Sequence, residues 1–535
     1  MLFSTVPARR TRWKWVAPAI AGVLVLAACS SSKAGINTSP GTSGVPASSV
    51  ADTGSSTGPD STGGTPATGS DRIIRVGAVL EPTSLDILTT AGAALDQALL
   101  DNVYETLLKT DDSGDIIAGL ADMPKISADG LTYTLTIKSG VTFSDGHPLT
   151  SADVLWSLQQ VTGPDSKSPK ATSFKSVTAV DATDQKTIVI TLSVADSGVE
   201  YALTQRGGAV VEKDATDLKA NALGTGPFKF KSWNQGTSLD FVRNDSYWGP
   251  KPTIGGVSFV YFTDANALVN AATSGDIDIA TGINTDLVEI LKSDSKLVVN
   301  TGTTTGKYTL GFNNTRKALA DQRVRLAIRE AIDHTGLIAL NNGYGTLLGG
   351  PVPPSDPWYE DLTSVAPHDP AHAKQLLSDA GYASGLTLDL VVPNIYPTNM
   401  SEFIASELKK VGVTVNVKPV EFSVWLDQVY KQADYDMTIV DHVEARDIAN
   451  FANPDYYWRY NSKVVQDLIG KAQAATTQDA ASGFYKQAAR QISEDSPVDW
   501  LFLAADVTAA KTGVTGYPLN NTQSRFDASR ITVSG

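Results

Sequence analysis

Val141-Thr142-Phe143-Ser144-Asp145-Gly146-His147-Pro148-Leu149-Thr150-Ser151-Ala152-Asp153-Val154 is the stretch from which the chain is most readily read. Thr150 stands three residues ahead of Asp153, the spacing of a capping box. Val154, Leu155, Leu158 and Val161 then recur on one face of the helix it would open. Ser144, Asp145 and His147 lie too close in the chain to be taken as a catalytic triad. The one Gly-x-Ser-x-Gly match, Gly54 to Gly58, falls in a Ser/Thr/Gly-rich stretch with no strand pattern before it or helix pattern after it to make a nucleophile elbow, so no hydrolase motif stands out.

Outward from this stretch, strands and helices mix irregularly at first. Residues 72–79 and 131–137 read as strands, the second by its period-two alternation, and 186–192 and 238–242 as two more. Residues 322–340 read as one helix with Val324, Ile328, Ala331 and Ile332 turned inward. Another helix is framed by Asp369 as N-cap, Pro370 at its first position and Gly381 as its stop. A helix from Ser401 to Gly412, a strand over 413–417, a helix at Trp425 and a strand over 436–440 follow. This second half alternates as α/β units do. No fixed-period repeat is visible.

Cys29 is the only cysteine in the 535 residues. It follows Arg9, Arg10, Arg12 and Lys14 and then an apolar run too short to span a bilayer, the pattern of an export signal. Leu26-Ala27-Ala28-Cys29 resembles a bacterial lipobox, which implies cleavage before Cys29 and lipidation of its thiol. Two or three acyl chains anchor stably where one binds reversibly. Residues 30–70 are almost wholly Ser, Thr, Gly, Pro and Ala and read as a flexible tether. The formal net charge is -14, and loss of the signal's four cations makes it more negative still. That balance disfavours nucleic acid as a partner and an anionic membrane surface as a direct contact, leaving attachment to the lipid.

Glu81-Pro82-Thr83-Ser84-Leu85-Asp86, Val103-Tyr104-Glu105-Thr106-Leu107 and the 141–154 stretch resemble the family 5 extracellular solute-binding proteins, receptors of ABC importers for oligopeptides and dipeptides. The likeness continues in order through Gly224-Thr225-Gly226-Pro227-Phe228, Arg243-Asn244-Asp245-Ser246-Tyr247-Trp248, Ser274-Gly275-Asp276-Ile277-Asp278 and Phe312-Asn313-Asn314-Thr315, then through 321–333 and 369–381. It implies an α/β, two-lobed periplasmic-binding-protein-like fold of type II, the large class with an extra subdomain, with mixed sheets and a hinge between lobes. Lobe I would be 71–300 plus 505–535, with an inserted subdomain at about 111–221, and lobe II 301–504. Ligand binding would shift the lobes toward a closed state. The partners implied are a peptide or other small solute, the permease subunits with their cytoplasmic ATPases, and the membrane through the lipid. The receptor itself would be a monomer on the outer face of an actinobacterial-type cell membrane. It would be no enzyme, and neither a cofactor nor a metal is implied. The alternatives are a receptor for an oligosaccharide, siderophore, opine or metal chelate, and an envelope lipoprotein that regulates or scaffolds without transporting.

Most of these segments read as scaffold. Gly224-Thr225-Gly226 and 302–307 lack the ending of a phosphate loop. Asp276 and Asp278 read as a turn leading into a half-exposed strand. His368 and His372 are split by the helix start at Asp369 and so form no metal pair. For the cleft, the resemblance implies that Glu105, Thr106 and Leu107, and the strand from Asp436, hydrogen-bond the ligand backbone like an added strand. It also implies an aspartate shortly after that strand, with a Trp three residues earlier, to hold the ligand ammonium. His442 and Ala445 occupy those positions here, and Asp441, Val443, Glu444 and Asp447 surround them. Those acids either replace the missing anchor or form a solvated loop. Arg446 either neutralises Glu444 or takes a ligand carboxylate. Tyr456, Tyr457 and Trp458 are either cleft aromatics or core packing. Trp358 and Asn313 complete the candidates.

Overall fold

The computed structural model describes residues 71–534. Cys29, the signal segment and the tether lie outside the described residues. Among those described, no helix is long and apolar enough to cross a membrane.

An eleven-stranded sheet organises the fold, with the order Val413–Val420, Leu386–Pro393, Met437–His442, Leu297–Phe312, Val498–Lys511, Ile279–Ala280, Ile73–Ala78, Gly256–Tyr261, Ser238–Arg243 and Phe228–Asn234. Gly345–Thr346 adds a short side branch on Val498–Lys511. Its first three strands are parallel, as are Ile279–Ala280, Ile73–Ala78 and Gly256–Tyr261. Between these parallel groups run the antiparallel strands Leu297–Phe312 and Val498–Lys511, paired from Leu297 opposite Lys511 to Gly311 opposite Val498. Their register slips between Thr303 and Lys307 and again between Tyr308 and Thr309, so the two long strands join the halves of the molecule through an irregular stretch.

The apolar cores follow this division. Ile74, Val76, Leu95, Phe241 and Phe259 pack with Val514, Phe526 and Ile531, so the C-terminal segment returns to the first half. Leu310, Val324, Ile328, Leu390, Ile404 and Ile439 form one core of the second half; Trp425, Val429, Tyr457, Trp458, Ile492 and Trp500 form another. A separate four-stranded sheet of Lys125–Ile126, Thr132–Thr136, Thr187–Leu192 and Val177–Ala182 is covered by the helix Ser151–Thr162, with Tyr133, Leu135, Val154, Leu158 and Ile190 at its centre. Thr150 and Asp153 form the capping box that their spacing predicts.

Two expectations need correction. Residues 322–340 form two helices, Gln322–Ala331 and His334–Leu340, because Ile332 is extended and Asp333 caps the second by accepting from Gly336 N. The strand after Asp276 and Asp278 is not half-exposed: Ile279 and Ala280 are both buried, as is Asp278, which accepts from Arg72, from Arg75 N at 2.9 Å and from Lys511 at 2.8 Å. Burial alone would raise its carboxyl; those donors together hold it below the usual range. Together the parallel groups and their antiparallel junction give the two-lobed α/β architecture.

Candidate functional site

Antiparallel pairing sets Lys307 opposite His442 and Tyr308 opposite Asp441. Lys307 is buried, with Nζ 3.2 Å from Asp447 Oδ1. It also donates to the carbonyls of Thr305 at 3.2 Å and Glu444 at 3.1 Å. Thr305 Oγ1 donates to the Val443 carbonyl at 2.7 Å, so the 443–447 loop is wrapped around one ammonium. Asp447 is therefore an internal counter-ion and not a free anchor for a ligand. Burial raises its carboxyl, against the pull of Lys307.

His442 Nε2 lies 2.8 Å from the Tyr457 hydroxyl, its ring parallel to that of Tyr457. Burial, and secondarily the charge of Lys307, push its pKa down to about 3, so the imidazole is neutral. Asp441 Oδ1 is enclosed without a hydrogen-bond partner, and burial pushes that carboxyl up to about 6 although Lys307 opposes it. The side chains of Val443 and Glu444 are exposed.

Arg446, in the left-handed region at φ 54, turns away from Glu444. Its guanidinium lies between the rings of Tyr201, at 3.9 Å, and Trp358, at 4.7 Å, and donates to the Gly114 carbonyl at 2.6 Å. It is not paired with Glu444 among the described residues; it bridges residues far apart in the chain. Two buried acids feel its charge: burial pushes Glu200 up to about 7 and Asp356 up to about 6, and Arg446 draws both back. Nearby, Ser197 N donates to the Gln473 carbonyl at 2.8 Å and Ser197 Oγ to that of Ala472 at 3.0 Å. Trp358 is buried in this contact, tilted against Tyr485.

The remaining candidates are mostly scaffold. Glu105 is fully buried and accepts from Lys109, Thr225, Tyr247 and Trp248 at 2.8–3.0 Å. The carbonyls of Glu105, Thr106 and Leu107 accept from Val210, Leu120 and Ala121, so this segment is stitched between 119–121 and 208–210 instead of offering its acceptors to an added strand. Asn313 is a turn residue: Nδ2 donates to the Ala433 carbonyl at 2.7 Å and Oδ1 accepts from Thr315 N and Oγ1. Tyr457 and Trp458 are core residues and Tyr456 is half-buried against them. Asp145, His147 and Glu212 converge closely enough to share an ion. Yet His147 Nδ1 already lies 2.7 Å from Glu212 and 3.0 Å from Asp145, and the hydrogen bond to Glu212, then the charge of Asp145, raise its pKa. That group is an exposed ion cluster.

A cavity of about 120 Å³ opens where 518–526 folds against the junction strands, lined by Val79, Leu80, Ala93, Thr281, Asp506, Asn521 and Arg525 among others. Sequence reasoning passed over Asp506. The available signal was an acid set between Ala505 and Val507 in a strand whose middle is otherwise apolar from Trp500 to Val507.

Residues 115–464 match the family described as bacterial extracellular solute-binding proteins, family 5 Middle. The glutathione-binding protein GsiB of Pectobacterium atrosepticum is 28% identical over 504 residues, covering 86% of this chain and 94% of that one. The oligopeptide-binding protein AppA of Bacillus subtilis is 26% identical over 496 residues, covering 85% and 90%. The solved structure of HbpA2 from Haemophilus parasuis superposes with a TM-score of 0.80 at 20% identity, over 87% of this chain and all of that one.

Proposed function

Because the chain belongs to the family 5 bacterial extracellular solute-binding proteins, we propose that it is the solute receptor of an ABC import system, taking a peptide or peptide-like solute between two lobes. Residues 71–300 with 505–535 act as lobe I, carrying the 111–221 subdomain, and 301–504 act as lobe II. The observation that carries this reading is the junction: two long strands link separate cores, slip register twice within 303–309, and have a cavity beside them. Such a joint lets lobes rotate without breaking either core, and a solute touching both lobes shifts the population toward closure. Relatives named for glutathione and oligopeptides support a peptide-like solute. The Cys29 lipid keeps the receptor at the membrane beside its permease.

A ligand that binds only the folded chain raises its melting temperature. Glutathione, tri- to nonapeptides, sugars and polyamines titrated against the purified full chain are expected to give shifts with the peptide-like set, with a smaller radius of gyration by X-ray scattering. Shifts confined to sugars would overturn the peptide reading, and none at all the receptor reading. Cys29→Ala is expected to move the protein from the membrane fraction to the medium; retention in the membrane would sink the lipid anchor.

A further inference from the structure

We infer that Asp506 is the carboxylate that receives the positively charged group of the solute, in the cavity beside the strand junction. The inference rests on the receptor reading above and names the chemistry of its site.

Asp506 is set apart by lacking both a partner and a nearby cation. Asp278 has three donors, Asp447 has Lys307, Asp101 has Arg525 and Lys109, and Asp499 has His334 and Arg329. Asp506 is half-buried and lines an open cavity, and among the described residues its carboxylate has no hydrogen bond or ion pair. Glu200 and Asp356 also lack a hydrogen bond or ion pair among the described residues, but a nearby cation acts on both; Asp506 has neither partner nor cation. Burial alone pushes its carboxyl up to about 6, with no cation drawing it back. At neutral pH it is thus mostly an unpaired anion, an arrangement that is costly unless a cation arrives. Asp441, on the neighbouring strand Met437–His442, also has an unpartnered oxygen but is less suited, because that oxygen is enclosed and Lys307 already acts on it.

Arg525 lines the same cavity but is already engaged: its charge is met by Asp101 at 3.1 Å, it donates to the Thr204 carbonyl, and its unpartnered Nε is enclosed. The group that suits the cavity is therefore a lone cation, such as an ammonium, directed at Asp506. The cavity is smaller than the roughly 300–1,000 Å³ of whole-ligand pockets, so it takes a head group and leaves the rest of the solute in the cleft. It is also coupled to the junction. Asp506 stands opposite Gly302, where a Cβ would fall 1.5 Å from the Leu519 carbonyl, and Asn520 Oδ1 accepts from Thr303 N at 3.0 Å. The segment that walls the cavity therefore lies directly on the strand where the register slips.

The test is Asp506→Asn in the full chain, with triglycine, N-acetyl-triglycine and putrescine as probes by calorimetry. The wild type is expected to bind triglycine and not its acetylated form, and the variant to lose about 100-fold or more in affinity. Without ligand, the variant is expected to melt no lower than the wild type at pH 7.5, since a neutral amide replaces an unpaired charge. Unchanged triglycine affinity in the variant overturns the inference and leaves the peptide reading standing. Binding of putrescine alone, lost in the variant, keeps Asp506 as the cation site and overturns the peptide reading. A clear fall in the ligand-free melting temperature makes Asp506 structural and overturns the inference, as does a wild type that binds none of the probes.

Discussion

Lys307 shows how one side chain can set the shape of a loop. Its ammonium neutralises Asp447 and ties down the carbonyls of Thr305 and Glu444, with both charged partners almost wholly removed from solvent. Replacing it with Met would leave Asp447 buried and unpaired, so Lys307→Met is expected to cost about 3–5 kcal/mol in urea unfolding. A loss under about 1 kcal/mol would mean that water already solvates the pair. The same residue marks the limit of reading sites from sequence. Thr150 and Asp153 were legible because a capping box is local. Lys307 and Asp447 lie 140 positions apart, and nothing in either neighbourhood names the other. For that reason Asp447 read as a free acid and His442 as a cleft residue, although the fold makes one a counter-ion and the other a neutral partner of Tyr457.

Among elements, strands with strict alternation and helices with clear caps were legible: Thr132–Thr136, Ser238–Arg243 and Pro370–Asp379 form where periodicity and capping place them. The break at Ile332 and Asp333 was not, because the apolar spacing continues across it and only the alternative use of Asp333 as a cap ends the first helix. Contacts between distant elements were also invisible. The turn at Gly114 meets Arg446 and the 353–357 segment, and Ser197 meets the end of the helix Lys463–Gln473. Gly114 has φ +83, and a Cβ there would lie 2.2 Å from the Ser355 carbonyl. Arg446→Ala removes the guanidinium from between two rings and from the Gly114 carbonyl, at a cost of about 1–3 kcal/mol. Hydrogen exchange is expected to rise at 111–115 and 197–201 and stay unchanged in the core strand Ile73–Ala78. Equal rises everywhere would show global destabilisation, and no rise would show that Ser197 holds the contact alone.

At the scale of the whole molecule, buried acids set the response to pH. Burial pushes Glu200 up to about 7 and Asp356, Asp441 and Asp506 up to about 6, outweighing the opposing charge of Arg446 on the first two and of Lys307 on Asp441. Each holds its proton more tightly in the folded chain than in the unfolded one, so its ionisation destabilises the fold as pH rises through the window from the ordinary carboxyl range to about 6 or 7. Lowering the pH through that window returns the stability, and the formal net charge of -14 adds self-repulsion that also relaxes as acids protonate. His442 works the other way: its pKa of about 3 in the fold, against an ordinary 6.5, means that stability is lost as pH falls below about 6.5. Asp101 and Asp278, held below their ordinary range despite burial, withdraw stability only at still lower pH, near and below 3.8. These four carboxyls, with Glu330, Asp447 and Asp527 raised in the same direction, oppose one depressed imidazole, so the melting temperature is expected to rise from pH 8 to about 5 and then fall. Calorimetry in buffers of constant ionic strength reads this directly, and Asp506→Asn should flatten part of the rise. A maximum at pH 7.5 or above would mean that these acids are solvated and that the cavity beside the junction holds no anion in need of a partner.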